Sequence, residues 1–255
     1  MKITLLGTGA PIHTVRNTLG ILVEATGLKP LLIDTCGGFE LSRALAKLGY
    51  QNERLQELGE VIVTHQHGDH IGGVMALFIA VKKLDFYANQ ATLKAIDGLI
   101  AAAYPEYGQV RGHVVNHHEV KAGQSYEIAG FKVSFFEMIH RVPTLAVRLE
   151  RQNKILAFSA DGLPCEAMIA CAKDADLFIC DAMCAAGDSY AQNSGLLMHP
   201  TAKEAAEMAK KAGAKALVLT HLVRHSNAQL MLDEARAIFE GPVYLPDDGT
   251  TLNLY

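Results

Sequence analysis

Between positions 65 and 70 the chain reads His65-Gln66-His67-Gly68-Asp69-His70, four potential metal ligands in six residues. Imidazole and carboxylate together suit zinc, iron or manganese. In an extended segment His65 and His67 face the same side. Asp69 and His70 are adjacent, so they point in different directions, as two neighbouring metal centres require. The run follows Val61-Ile62-Val63-Thr64 and precedes Ile71-Gly72-Gly73-Val74-Met75. Surface histidines or a His-rich tag would not normally sit between two apolar segments, so metal binding is the stronger reading. One run cannot saturate two ions, because each wants roughly four ligands. Further ligands are expected at other strand ends. His140 after 133–139, Asp161 after 155–159 and His221 after 216–220 occupy such places.

Those ligands need rigid elements to hold them. Short strands are expected at 2–6, 20–24 and 30–34, separated by glycine-containing turns. Leu41, Leu45 and Leu48 share one face of a helix over 39–48. The run 61–64 suits a buried strand, and a helix is expected over 71–83. Helical spacing returns over 90–103, and Tyr104-Pro105 ends it. Strands are expected at 113–120, 124–128 and 132–137, then a hairpin pairs 145–150 with 155–159. The last third alternates helix and strand: 164–172, 177–180, 201–212, 216–220, 229–239 and 243–245. Early hairpins break the rhythm of a doubly wound sheet, so two sheets covered by outer helices fit better.

Composition sets outer bounds. The 255 residues include 50% apolar and 20% charged side chains, as in an ordinary globular enzyme. No linker divides the chain, so one domain over 1–255 is expected. The net charge of -4 gives no overall attraction for polyanions. The longest apolar stretch, 71–81, is too short to span a bilayer, so no membrane association is expected. The N-terminus reads as a first strand and not as a targeting segment. The five cysteines form no CxxC pair and read as reduced thiols. The expected location is therefore cytoplasmic.

The His65–His70 run resembles the H-x-H-x-D-H signature of the metallo-β-lactamase superfamily. Leu6-Gly7-Thr8-Gly9-Ala10 with Arg16-Asn17, and Leu32-Ile33-Asp34-Thr35-Cys36-Gly37-Gly38, resemble the opening of its ribonuclease Z and phosphodiesterase-like branch. So do His140-Arg141-Val142-Pro143, Phe158-Ser159-Ala160-Asp161, His199-Pro200-Thr201 and Leu219-Thr220-His221. The resemblance spans nearly the whole chain. It implies an α+β fold, an αββα four-layer sandwich with the site at one edge between the sheets. It implies one divalent ion on His65, His67 and His140, a second on Asp69, His70 and His221, and Asp161 bridging them. Zinc is the first expectation, with manganese or iron as alternatives. Two such ions share a water and lower its pKa toward neutrality, and the hydroxide attacks phosphorus or a carbonyl carbon. Asp69 and His199 are the candidate catalytic residues, with His199 as proton donor or phosphate contact. Its alternative role is to cap the helix from Thr201. Asp34 either orients a ligand histidine or is a turn residue.

Other positions carry less. His113, His117 and His118 read as ordinary surface histidines. Gly7-Thr8-Gly9 lacks the lysine of a phosphate loop and reads as a tight turn at the rim. Cys180 and Cys184 pack near the site, and Arg224 and His225 either meet an anionic substrate or lie in solvent. The chain departs from ribonuclease Z where a long glycine- and proline-rich arm would join the segments of His140 and Asp161. Only a short hairpin stands there. With the acidic charge, this leads to an expected small anionic phosphodiester, such as a cyclic nucleotide, and not tRNA. The alternatives are hydrolysis of a lactone, carboxylic ester, thioester or sulfate ester, and a non-catalytic metal-binding protein. A homodimer is compatible with an enzyme of this kind.

Overall fold

The computed structural model describes residues 1–106 and 112–255. Its strands form two seven-stranded mixed sheets. The first contains β1 (Lys2–Gly7), β2 (Gly20–Glu24), β3 (Leu31–Ile33), β4 (Glu60–Ile62), β5 (Lys83–Ala88) and β6 (Val114–Glu119) in sequential order. The second contains β7 (Ser125–Ile128), β8 (Phe131–Met138), β9 (Thr144–Arg151), β10 (Lys154–Phe158), β11 (Leu177–Asp181), β12 (Leu217–Thr220) and β13 (Val243–Tyr244). β14 (Thr251–Asn253) returns to pair antiparallel with β1 in the first sheet. In each sheet one part is antiparallel, and the strands β3 to β6 and β10 to β13 are parallel.

Strand alternation builds the layers. Ile21 and Val23 point between the sheets, while Leu22 points outward. Across the sandwich, Leu177 and Ile179 point inward while Phe178 and Cys180 point outward. The outer face of the first sheet is covered by α1 (Glu40–Lys47), α3 (Val74–Ala80) and α4 (Gln90–Ala103) through Leu45, Leu77 and Ile96. The short helix α2 (Gly68–Ile71) precedes α3. The second sheet is covered by α5 (Glu166–Ala172), α7 (Ala202–Ala212) and α8 (Ala228–Arg236) through Met168, Ala206 and Met231. One more turn, α6 (Ser194–Leu197), lies ahead of α7. The result is helix, sheet, sheet, helix, the αββα sandwich. The central strands β3, β11 and β12 are buried on both faces, which is why they read as continuous apolar runs.

The expected hairpin is present. Gln152 and Asn153 take left-handed φ values of 49° and 59°, as a tight two-residue turn requires. The expected helix over 71–83 is not continuous: it breaks at Gly72-Gly73, and Lys83 already begins β5. An apolar run alone does not tell a buried helix from a buried strand. The break has a cause. A Cβ on Gly73 would lie 1.8 Å from the Thr35 carbonyl oxygen, and one on Gly72 would lie 2.1 Å from that of Gly37. The segment after β3 is laid directly on this turn, and the Thr35 amide donates to the His70 carbonyl at 2.8 Å. Gly73→Ala is therefore expected to destabilise the protein by at least about 2 kcal/mol, since backbone cannot yield as a side-chain tip can. Denaturant unfolding measures this; an unchanged midpoint would contradict the packing.

Candidate metal centre

β1, β3, β4, β8, β10, β11 and β12 end at one edge of the sandwich, where open sheets commonly bind ligands. His65 follows β4, His140 follows β8, Asp161 follows β10 and His221 follows β12. The structure brings all seven candidate ligands together. Several residues there hold left-handed backbone: Asp34 at φ 58°, Ala160 at 53° and His221 at 61°. Such conformations cost about 1–3 kcal/mol each and persist where the surroundings over-determine them. Here they turn the chain sharply beyond each strand end.

Two ligand groups form around one shared carboxylate. His65, His67, His140 and Asp161 make one, and Asp69, His70, His221 and Asp161 make the other. In the first, His67 Nδ1 lies 3.1 Å from His65 Nε2 and 3.2 Å from His140 Nε2, and His65 Nε2 is 3.6 Å from Asp161 Oδ2. In the second, His70 Nε2 lies 3.4 Å from Asp69 Oδ2 and 3.3 Å from Asp161 Oδ2. His221 Nε2 lies 3.2 Å and 3.5 Å from the same two oxygens. Bonds of about 2.0–2.1 Å to a tetrahedral ion place neighbouring ligand atoms roughly 3.3–3.4 Å apart. The separations cluster around that value.

Hydrogen bonding alone does not explain the arrangement. Two imidazole nitrogens converge on one His67 Nδ1, which has one lone pair or one proton to offer. His70 Nε2 and Asp161 Oδ1 are buried and have no hydrogen-bond partner. Unpaired buried polar atoms are costly, and a cation between them satisfies both. The residues therefore fit divalent metal binding.

The outer nitrogens are held by the surrounding chain. His70 Nδ1 donates to Asp34 Oδ2 at 2.8 Å, and Asp34 also accepts from the Thr64 amide at 2.8 Å. Asp34 is thus an orienting acceptor and not merely a turn residue. His65 Nδ1 lies 3.0 Å from Thr64 Oγ1. Burial pushes His65 and His67 down, and His140 down to about 4, so these rings stay neutral and keep lone pairs for a metal. Burial also works against charge on His70 and His221, but nearby carboxylates, Asp161 first, outweigh it and push both up. Asp161 is held well below the usual carboxylate range, because His221 and His70 outweigh its burial. Asp69 is lowered in the same way, chiefly by His70. Without a cation, these buried carboxylates draw protons onto the rings beside them.

His199 lies at the same edge. Its ring stacks on His221 at 4.8 Å between centroids, and its Nδ1 donates to Asp181 Oδ2 at 2.7 Å. It does not cap α7: Thr201 does, in a capping box with Glu204. Burial lowers His199, but Asp181 outweighs it and raises the ring above its ordinary value. Asp181 is the site residue missed in the sequence. It is 1% exposed, and its other oxygen lies 3.5 Å from His221 Nδ1. Its position at the end of the apolar run 177–180 was the available signal.

The remaining candidates lie elsewhere or stand at the margin. His117 meets Asp97 at 3.2 Å, and His118 meets Asp85 at 2.9 Å on β6. His113 packs on Phe78. Cys180 and Cys184 are buried and belong to no metal group among the described residues. Arg224 and His225 are exposed just past His221. Among the described residues, no helix is long and apolar enough to cross a membrane.

Residues 30–222 match the family model for the β-lactamase superfamily domain. Ribonuclease Z of Archaeoglobus fulgidus is 26% identical, covering 96% of this chain and 95% of that protein. The metallo-β-lactamase fold protein YhfI of Bacillus subtilis superposes with a TM-score of 0.83 at 26% identity, covering 98% of both chains. Human tRNase Z, short form, shares the fold with a TM-score of 0.76 at 22% identity, covering 99% of both chains. These relatives overturn the expectation of a small-molecule substrate in place of tRNA. That expectation rested on one short hairpin and on net charge. Relatives named for ribonuclease Z align along almost the full chain despite that difference, and net charge does not decide contacts at one edge. The matching domain model, the shared sandwich and the convergent strand ends make one statement: the chain belongs to the β-lactamase superfamily, on its ribonuclease Z-like branch.

Proposed function

We infer from membership of that family that the chain is a metal-dependent hydrolase. We propose that it is a dinuclear phosphodiesterase acting on RNA of the tRNA class. The observation that carries this reading is the pair of ligand groups joined by Asp161, combined with His199 and Asp181 beside them. Relatives named ribonuclease Z and tRNase Z support the substrate class.

His65, His67 and His140 would hold one ion, and Asp69, His70 and His221 the other, with Asp161 serving both. The borderline nitrogen and carboxylate donors favour zinc, with manganese or iron as alternatives. When bound, such ions activate a water nucleophile and neutralise charge on the phosphoryl group. Asp69 is held ionised by His70 and His221 and would supply a carboxylate oxygen to the ion it shares with them. Asp181 holds the Nδ1 proton of His199 and so turns Nε2 toward the reacting group. Asp181 raises the His199 pKa, which favours the protonated ring that would donate to the leaving oxygen.

Elemental analysis should find about two metals per chain, as the two ligand groups require. The metal-loaded protein should cleave bis(p-nitrophenyl) phosphate and a 3′-extended precursor tRNA faster than lactone, carboxylic ester, thioester or sulfate ester panels. A lactone or ester ranking first would replace this function. His199→Ala should lower kcat about 10²-fold, the lower end for a positioned proton-transfer group, with metal content unchanged. Asp181→Asn should reproduce part of that loss and shift the acidic-side dependence on pH that reports on His199. Full activity in both variants would remove the pair from the mechanism.

A further inference from the structure

A neutral imidazole that gives the lone pair of one ring nitrogen to a cation carries its proton on the other, and that proton needs an acceptor. The ligand histidines meet this need unequally. In the group of Asp69, His70 and His221, His70 Nδ1 has Asp34 Oδ2 at 2.8 Å. His221 turns Nε2 toward Asp69 and Asp161, and its Nδ1 lies 3.5 Å from Asp181 Oδ1. In the other group His65 Nδ1 meets the Thr64 hydroxyl at 3.0 Å. His140 Nδ1 is buried with no hydrogen-bond partner among the described residues.

Asp181 is placed to serve more than one neighbour. It ends β11, which runs parallel to β10 on one side and to β12 on the other. Its register partner on β12 is Thr220, the residue before His221. Its amide donates to Ser159 Oγ at 2.9 Å, which fixes it against the strand end that carries Asp161. Asp181 Oδ2 accepts from His199 Nδ1 at 2.7 Å and from the Gly162 amide, next to Asp161, at 3.4 Å. Holding His199 therefore uses one oxygen only. The other, Oδ1, is buried and without a hydrogen-bond partner among the described residues, and so is the His221 Nδ1 that faces it. Two unpaired buried polar atoms are costly, and the tautomer of His221 with its proton on Nδ1 pairs both.

Resting on the dinuclear reading above, we propose that Asp181 is a positioning residue for the metal centre as well as for His199: Oδ1 takes the Nδ1 proton of the ligand His221, while Oδ2 holds the ring that donates to the leaving oxygen. The carboxylate behind His221 fixes the ring with Nε2 inward and makes that nitrogen a better donor to a cation. One buried side chain on a rigid strand end then sets both the metal ligand and the proton donor, so their relative placement does not depend on two separate loops. Asp34 does the same for His70. Both histidines of this group are thus backed by carboxylates, while His65 has a hydroxyl and His140 no such partner among the described residues. The ion of Asp69, His70 and His221 is accordingly the more tightly held of the two.

Zinc binding, read by competition with a chromophoric chelator, tests this apart from turnover. Asp181→Asn should hold one of its two zinc ions about 10–100-fold more weakly than the native protein and the other equally well. His199→Ala should hold both as the native protein does. In a His140→Ala background, which leaves the second ligand group whole, Asp181→Asn should weaken the ion of that group by the same factor. A second measurement needs no variant to fold: heteronuclear NMR of the zinc-loaded native protein should find the His221 proton on Nδ1. Unchanged zinc affinity in Asp181→Asn, equal weakening in His199→Ala, or a His221 proton on Nε2 would each overturn the inference. So would a third zinc ion per native chain that Asp181→Asn loses, since Asp161, Asp181, His199 and His221 would then form a metal site of their own. A native chain that binds no metal would sink the dinuclear reading and this inference together, an outcome distinct from two ions held independently of Asp181.

Discussion

Asp161→Ala is expected to abolish turnover and to leave the protein unable to retain metal after dialysis. Asp161 belongs to both ligand groups, so its loss removes a donor from each at once. It is buried against His65, His70 and His221, with contacts of 3.3–3.6 Å. Removing one partner of a buried charged cluster typically costs about 3–5 kcal/mol, because it leaves the other charges uncompensated. The metal-free variant should therefore also unfold at lower denaturant concentration than the metal-free parent. Elemental analysis, single-turnover assays and denaturant unfolding read the three effects separately. A variant that keeps two metals per chain and half its activity would refute the shared-ligand arrangement.

Asp69→Ala should behave differently. Turnover should fall at least about 10²-fold, because Asp69 belongs to one ligand group and its loss removes a donor from one ion. The fold should remain. Its side chain is 10% exposed, it touches His70 at 3.4 Å and His221 at 3.2 Å, and it is no part of an apolar core. Circular dichroism should thus match the parent, while kcat/KM collapses. Near-normal turnover would remove Asp69 from the site. The contrast between the two carboxylates is the useful result: one serves both ligand groups, the other only one.

Much of the centre was legible because its ligands obey a local rule. Each follows an apolar strand, and strand ends are recognisable from a short window of sequence. His65, His67, Asp69 and His70 are also contiguous enough to signal themselves. The αββα sandwich was legible because apolar runs, turns and helical spacing report the layers. The break at Gly72-Gly73 was not, because it answers to the backbone of Thr35 and Gly37 far away in sequence. β5 was lost with it, since a run such as 71–83 carries no internal mark where helix gives way to strand. The expectation against tRNA failed for a related reason: a single missing arm is a local fact, whereas substrate class depends on the whole edge.

The chain by itself determined the ligand types, their order and the strands that carry them, because those are encoded over a few neighbouring residues. Only the tertiary structure decided which nitrogen of His70 and of His199 is left free for chemistry, since that depends on Asp34 and Asp181 reaching across from other strands. It also decided that Asp181, unremarkable between Cys180 and Ala182, holds His199, and that Thr201 and not His199 caps the following helix. Spacing along the chain cannot express such relations. They arise when seven strand ends from two sheets meet at one edge.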